Sequence, residues 1–67
     1  MAKIQLNGKK ITIKSKSSVL DILKRYKLDS RKIAIEYNGF ILPRANFKKK
    51  ILKENDKLEV VHFIGGG

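Results

Sequence analysis

The chain contains no cysteine and no tryptophan, and only one proline and one histidine. Disulfides and thiolate zinc sites are therefore excluded, and one His cannot build an imidazole cluster. A fold without staples or Cys suits a reducing compartment, so we place the protein in the cytoplasm. Acidic residues are scarce: 6 Asp plus Glu stand against 16 Lys plus Arg, a net charge of +10. Residues 1–10 lack the apolar run of a signal peptide. No window approaches the ~20 apolar residues of a membrane span, so no membrane role is expected. The 67 residues allow one small domain. They are too few for a doubly wound sheet, a barrel enzyme or a two-domain cleft. At 42% hydrophobic the chain is too apolar for the disordered class. The charge favours acidic partners and speeds their encounter. Nucleic acid is the obvious candidate, and a solvated Lys-rich surface is the alternative.

What is present has a clear order. Ile4 and Leu6, then Ile11 and Ile13, alternate with polar neighbours on either side of Asn7-Gly8. That pattern predicts strands near 2–7 and 10–15 joined by a hairpin. The turn is either Asn7-Gly8 itself or a longer loop ending at Lys9. The period then changes. Val19, Ile22, Leu23 and Tyr26 share one helical face. Ser18 with Asp21 three residues later forms a capping arrangement, and the basic residues 24, 25 and 27 suit the last turn. A helix over about 18–27 follows, with Leu28 folding back as a satellite of the core.

Residues 29–32 form a polar connection, and Ile33, Ile35 and Tyr37 alternate as a third strand. Asn38-Gly39 starts a second hairpin, with a short fourth strand, 40–42, stopped by Pro43. A short helical turn is expected near 45–50, with Phe47 anchoring the return loop. After a turn at 54–57, residues 58–64 are apolar at nearly every position, which suggests a central strand, of the kind that can be covered on both faces. The order β-β-α-β-β-turn-β describes an α+β protein with a β-grasp: a mixed sheet of four to five strands, one main helix packed on one face, and the last strand parallel to the first. KH-like and dsRBD-like units lack their required GxxG loop or second helix. Residues 1–64 make the single β-grasp domain and 65–67 a flexible C-terminal glycine tail.

The run Gly65-Gly66-Gly67 serves no packing purpose, since glycine has no side chain and is costly to order. Simple fraying is one reading. The other is a strand end that threads a narrow tunnel in a partner, with the Gly67 carboxylate as the working group. A carboxylate becomes an electrophile once its oxygen is turned into a leaving group. Adenylation with Mg²⁺ on the phosphates would do this, and a nucleophile such as a persulfide would then displace AMP.

At this point the sequence resembles the ThiS family, the bacterial sulfur carriers of thiamin biosynthesis, over essentially its whole length. The matching pieces are Leu6-Asn7-Gly8-Lys9, Val19-Leu20-Asp21-Ile22-Leu23, Ile35-Glu36-Tyr37-Asn38-Gly39 and Ile41-Leu42-Pro43-Arg44. The terminal stretch from Asp56 through Val60-Val61-His62-Phe63-Ile64 to the glycines completes them. The resemblance implies a ubiquitin-like fold and a protein that is not an enzyme. It implies that a ThiF-type enzyme uses ATP and Mg²⁺ to adenylate the terminal glycine, and that no cofactor is bound permanently. Sulfur derived from cysteine through a desulfurase then makes a thiocarboxylate. The thiazole synthase ThiG takes that sulfur, so the carrier is a co-substrate. The family signature ends in Gly-Gly, whereas three glycines stand here. Either Gly67 carries the sulfur or it is trimmed to Gly66, and we favour the first.

Single residues refine this. Alternation sets Val61 and Phe63 opposite Leu58 and Val60. With the helix on the latter side, Val61 and Phe63 make an apolar docking patch, unless a twist buries Phe63 against the second hairpin. Ile64 contacts the partner where the strand leaves the sheet. Arg44 grips either backbone carbonyls or a partner carboxylate. His62 is a strand-rim residue, and Tyr26 and Tyr37 border the core. The rival function is a small basic RNA-binding module centred on Lys48-Lys49-Lys50 with Lys53, Lys32 and Arg31. Only three Phe and two Tyr are available for stacking, and none interleaves with the basic residues as nucleic-acid platforms require. A further alternative keeps the β-grasp carrier but serves molybdopterin synthesis or protein conjugation.

Overall fold

The computed structural model of the chain describes residues 1–63. The elements are β1 (Ala2–Leu6), β2 (Lys9–Ile13), α1 (Val19–Arg25), β3 (Ile33–Tyr37), β4 (Phe40–Leu42) and β5 (Lys57–His62), with 3₁₀ turns at Ser30–Lys32 and Arg44–Asn46. The strand order is β2-β1-β5-β3-β4. β5 is therefore central, parallel to β1 and antiparallel to β3. This is the expected β-grasp with five strands.

Both hairpins turn on Asn-Gly. Asn7 and Gly8 have φ of 51° and 81°, and Asn38 and Gly39 have 50° and 89°. Two consecutive positive φ values define a type I′ turn, whose twist matches that of the strands it joins. Asn tolerates the left-handed region because its short polar side chain bonds locally. The first turn is thus Asn7-Gly8 itself, and β1 stops at Leu6.

The helix is one turn shorter than expected, for a visible reason. Lys27 has φ 57°. Its N–H donates to the Lys24 carbonyl at 3.1 Å, and the Leu28 N–H donates to the Leu23 carbonyl at 2.8 Å. This is a Schellman ending with Lys where Gly is usual. It folds Leu28 back onto the core as a half-buried satellite. At the other end the capping box forms: the Asp21 N–H donates to Ser18 Oγ (3.1 Å) and the Ser18 N–H to Asp21 Oδ2 (2.9 Å). The next orphan donors, the N–H groups of Val19 and Leu20, reach the carbonyls of Lys50 and Phe47 at 2.9 and 3.0 Å. The segment after β4 therefore completes the helix start. It holds only a 3₁₀ turn: the carbonyls of Pro43, Arg44 and Asn46 accept from within the segment, while those of Phe47 and Lys50 are taken by α1. Phe47 and Leu52 anchor it in the core, as expected for Phe47, whereas Ile51 stays exposed.

The core lies between α1 and one face of the sheet: Ile4, Ile13, Val19, Ile22, Leu23, Ile33, Ile35, Phe47, Leu52 and Leu58 are all buried. Only that face is covered. β5 has Leu58 buried and Val60 half-buried, but Glu59 and Val61 are exposed. Cover on both faces of β5, suggested by its apolar run, is not what the chain adopts. One helix spans one face, and the second set of apolar residues on β5 is left to solvent.

Candidate functional site

The site lies where β5 leaves the sheet. β4 and β5 both run antiparallel to β3, so both leave at the same end. There β4 passes into Pro43-Arg44, and β5 ends at His62 and passes into Phe63. The pairing of β5 continues to Phe63, whose N–H donates to the Lys32 carbonyl at 2.9 Å. Gly65, Gly66, Gly67 and Ile64 lie outside the described residues.

Val61 and Phe63 are 55% and 53% exposed on the open face of the sheet. Burial of Phe63 against the second hairpin does not occur. The cross-strand partner of Val61 is Ala34, too small to cover it. β4 adds Ile41 to this face, 68% exposed, two residues before Pro43. The sequence reading missed Ile41. Alternation within β4 puts it on the face opposite the core-packed Leu42, but its place beside Glu36 follows only from the pairing of β3 with β4. Arg44 is exposed, and among the described residues its guanidinium forms no hydrogen bond or ion pair; its carbonyl accepts the Phe47 N–H at 3.1 Å. His62 is exposed at the rim opposite Ile33.

The start of β5 is held from both sides. On one side the Asn7 N–H donates to the Leu58 carbonyl at 2.9 Å and Asn7 Oδ1 accepts the Val60 N–H at 2.7 Å. On the other, the Asn38 N–H donates to the Lys57 carbonyl at 2.9 Å and Asn38 Oδ1 accepts the Lys57 N–H at 2.7 Å. Each hairpin turn is therefore also a bracket on the central strand. Beneath the second bracket lies Asp56, buried at 3% exposure. Its carboxylate accepts from the Tyr37 hydroxyl (2.8 Å), Asn38 Nδ2 (3.2 Å) and the Lys53 N–H (2.9 Å). Burial pushes the Asp56 carboxyl up, but those donors outweigh it and hold it below 3.8. Burial, with the bond to Asp56, pushes the Tyr37 hydroxyl up to about 12.

The other acids serve caps. Asp21 closes the helix box, and the Ser18 N–H lowers its carboxyl. Asp29 meets Arg31 at 3.1 Å, and that guanidinium holds it at about 2. Glu54 Oε1 accepts the Lys3 N–H at 2.9 Å. That leaves Glu36 and Glu59, which face each other across β3 and β5. Like charges directly opposite, with Cβ atoms about 5 Å apart, oppose pairing by a few tenths of a kcal/mol.

The positive charges form no single footprint. Lys50 Nζ sits 4.4 Å from the centroid of the Tyr37 ring, which breaks the triple-lysine run. Arg25 Nη1 donates to the Thr12 carbonyl at 2.9 Å. Arg31 is paired with Asp29. Among the described residues no group of three or more His, Cys, Asp or Glu could hold a metal ion, and no helix is long and apolar enough to cross a membrane.

Comparison with known proteins decides the family. The model of the ThiS family matches residues 4–67. The chain belongs to the ThiS family. It is 34% identical over 65 residues to the sulfur carrier protein ThiS of Bacillus subtilis, covering 96% of this chain and 98% of that one. A crystal structure of the thiamine biosynthesis protein ThiS from Geobacter metallireducens superposes with a TM-score of 0.83 at 29% identity, covering 97% and 99% of the two chains. The chain is also 37% identical over 65 residues to a thiazole synthase of Paramagnetospirillum magneticum, of which it spans only 20%. A thiazole synthase of Magnetococcus marinus shows the same partial span, 20% at 35% identity. Those synthases thus carry a ThiS-like segment within a much longer chain. The ThiS match runs through the glycines; to Val61 and Phe63, expected from alternation, the fold adds Ile41.

Proposed function

We propose that this chain is the sulfur carrier of thiamin biosynthesis, a protein co-substrate whose Gly67 carboxylate is the working group. A ThiF-type enzyme joins that carboxylate to the AMP moiety of ATP, with Mg²⁺ on the phosphates, and releases pyrophosphate. A persulfide derived from cysteine displaces AMP to give an acyl disulfide, and a thiol then cleaves its S–S bond, leaving a thiocarboxylate on the carrier and a disulfide on the donor. The thiazole synthase ThiG accepts that sulfur, the carboxylate is restored and the carrier is charged again. Val61, Phe63 and Ile64 dock on these enzymes, with Arg44 at the same end of the sheet. Gly65 and Gly66 pass through an opening too narrow for side chains.

The observation that carries this reading is the ThiS-family match over residues 4–67, glycines included. The geometry supports it: the described part of the chain ends, after the central strand, at two exposed apolar side chains, Val61 and Phe63. The thiazole synthase relatives favour the thiamin pathway over molybdopterin synthesis or protein conjugation. The test is to incubate the protein with ATP, Mg²⁺, a ThiF-type enzyme and a sulfur donor and take the intact mass. The expected result is a gain equal to one oxygen replaced by sulfur, located on Gly67 by fragmentation. An unchanged mass would overturn the reading. Removal of Gly67 is expected to lower sulfur transfer with the fold intact.

A further inference from the structure

We propose that Glu36 and Glu59 are a specificity contact: together they receive one arginine from an otherwise acidic, partly apolar surface of the activating enzyme. This rests on the docking reading above and adds to it the residue chemistry that sets orientation.

Four of the six acids are committed inside the fold, to Ser18, Arg31, Lys3 and the Asp56 network. Glu36 and Glu59 are not. They are register partners on the open face. The Asn38 N–H to Lys57 carbonyl bond two residues along makes theirs a hydrogen-bonded pair of the ladder. Both residues line a shallow depression of about 470 Å³, together with Asn38, Gly39, Asn55 and Lys57. Yet among the described residues neither carboxylate has a cation within 4 Å, in a chain with 16 Lys and Arg. Lys57 lines the same depression without pairing with either carboxylate, and a repulsion that no ion pair within the described fold relieves is explained by a cation from outside. A guanidinium fits two carboxylates better than an ammonium does, because its planar fork presents separate donors to each.

The neighbours fix the kind of surface. Ile41 is level with Glu36 on one side, since Ile41 pairs with Glu36 and Glu36 with Glu59. Val61 follows Glu59 on the same face and is exposed. The acid pair therefore borders the apolar patch, where an ion pair is partly desolvated and gains strength. The division of labour is physical. The net charge of +10 draws the carrier to an acidic enzyme but leaves its orientation free. One acidic pair amid that positive charge accepts a single arrangement and repels acidic groups from it.

Removing these acids raises the net positive charge, so attraction by overall charge and recognition by the pair predict opposite results. The probe is a ThiF-type adenylating enzyme, titrated with wild type, Glu36→Gln/Glu59→Gln, Glu59→Lys and, as a charge-matched control, Asp29→Asn/Glu54→Gln. The pair variant is expected to melt no lower than wild type and to bind about tenfold more weakly or worse. Glu59→Lys creates an internal ion pair with Glu36; it should melt higher and still bind weakly. The control should bind as tightly as wild type or more tightly. Unchanged or tighter binding by the pair variant or by Glu59→Lys would overturn the proposal, as would equal losses in the pair variant and the control. Failure of wild type itself to bind would instead overturn the carrier reading, and this proposal with it.

Discussion

The two Asn-Gly hairpins are the same turn in two settings. Their φ values agree within 8°, and each places an Asn side chain on a backbone N–H of β5. The first leads into β2, an edge strand that begins Lys9-Lys10. The second leads into β4, an edge strand of three residues with Phe40 77% and Ile41 68% exposed. Lysines on an edge discourage another strand from pairing with it, whereas exposed apolar residues invite contact. A second difference lies beneath the turns. Asn38 is tied to Asp56, and Asp56 to Tyr37 and Lys53; the bonds of Asn7 go to β5 alone. One turn shape thus closes a guarded edge with a simple bracket, and a receptive edge with a reinforced one.

The largest effect on this comparison is expected from Asp56→Ala. It leaves the half-buried Tyr37 hydroxyl and the Lys53 N–H without their acceptor and should cost about 3 kcal/mol by denaturant unfolding. Hydrogen exchange should quicken at the second hairpin before the first. The pH dependence has two limbs. The folded Asp56 carboxyl titrates below the unfolded value of 3.8, so its stabilisation is present above that pH and lost as pH falls through the folded value. The folded Tyr37 titrates at about 12 against 10.0 unfolded, so its share holds below pH 10 and is lost as pH rises towards 12. Asp56→Asn should flatten the acid limb and move tyrosinate formation to lower pH. A thermal midpoint measured across pH, with ultraviolet absorbance, checks both.

Asn38→Ala comes next, at about 2 kcal/mol, because it removes a residue suited to the left-handed region together with two side-chain hydrogen bonds. Asn7→Ala loses one such bond and should cost less, about 1.5 kcal/mol. Equal losses by chemical denaturation would show that the Asp56 network adds nothing to the second bracket. Smallest is Phe40→Lys, which puts on β4 the guard that β2 already has. Its stability should move by less than about 0.5 kcal/mol, while self-association at high concentration, read by light scattering, should decline.

Much of this was legible beforehand because local chemistry set it. The two Asn-Gly pairs, Ser18 with Asp21 and the helical spacing of Val19, Ile22 and Leu23 each describe their own surroundings. Leu58 and Val61 announced an apolar last strand, but not that one of its faces stays bare. That depends on there being one helix and on which strands flank β5. Glu36 and Glu59 lie in different segments and become a pair only through the β3–β5 register. The bonds from Asn7 and Asn38 to β5 were hidden for the same reason, although the asparagines themselves were plain. The 3₁₀ turn after Asp29 was missed because its signal is a single Asx bond to the Arg31 N–H. The shortened helix end was missed because Lys27 stands where glycine would have marked it.

The place of β5 in the strand order also bears on synthesis. It is the last described element to leave the ribosome, yet it separates β1 from β3. Until it emerges, the sheet exists only as two unconnected hairpins, and the core residue Leu58 is missing from between them. Nascent chains therefore cannot complete the domain piecemeal. Whatever follows β5 can be shown to a partner in its folded setting only after that strand has closed the gap. A polypeptide that stops before β5 would lack Leu58 from its core and Val61 and Phe63 from the open face of its sheet.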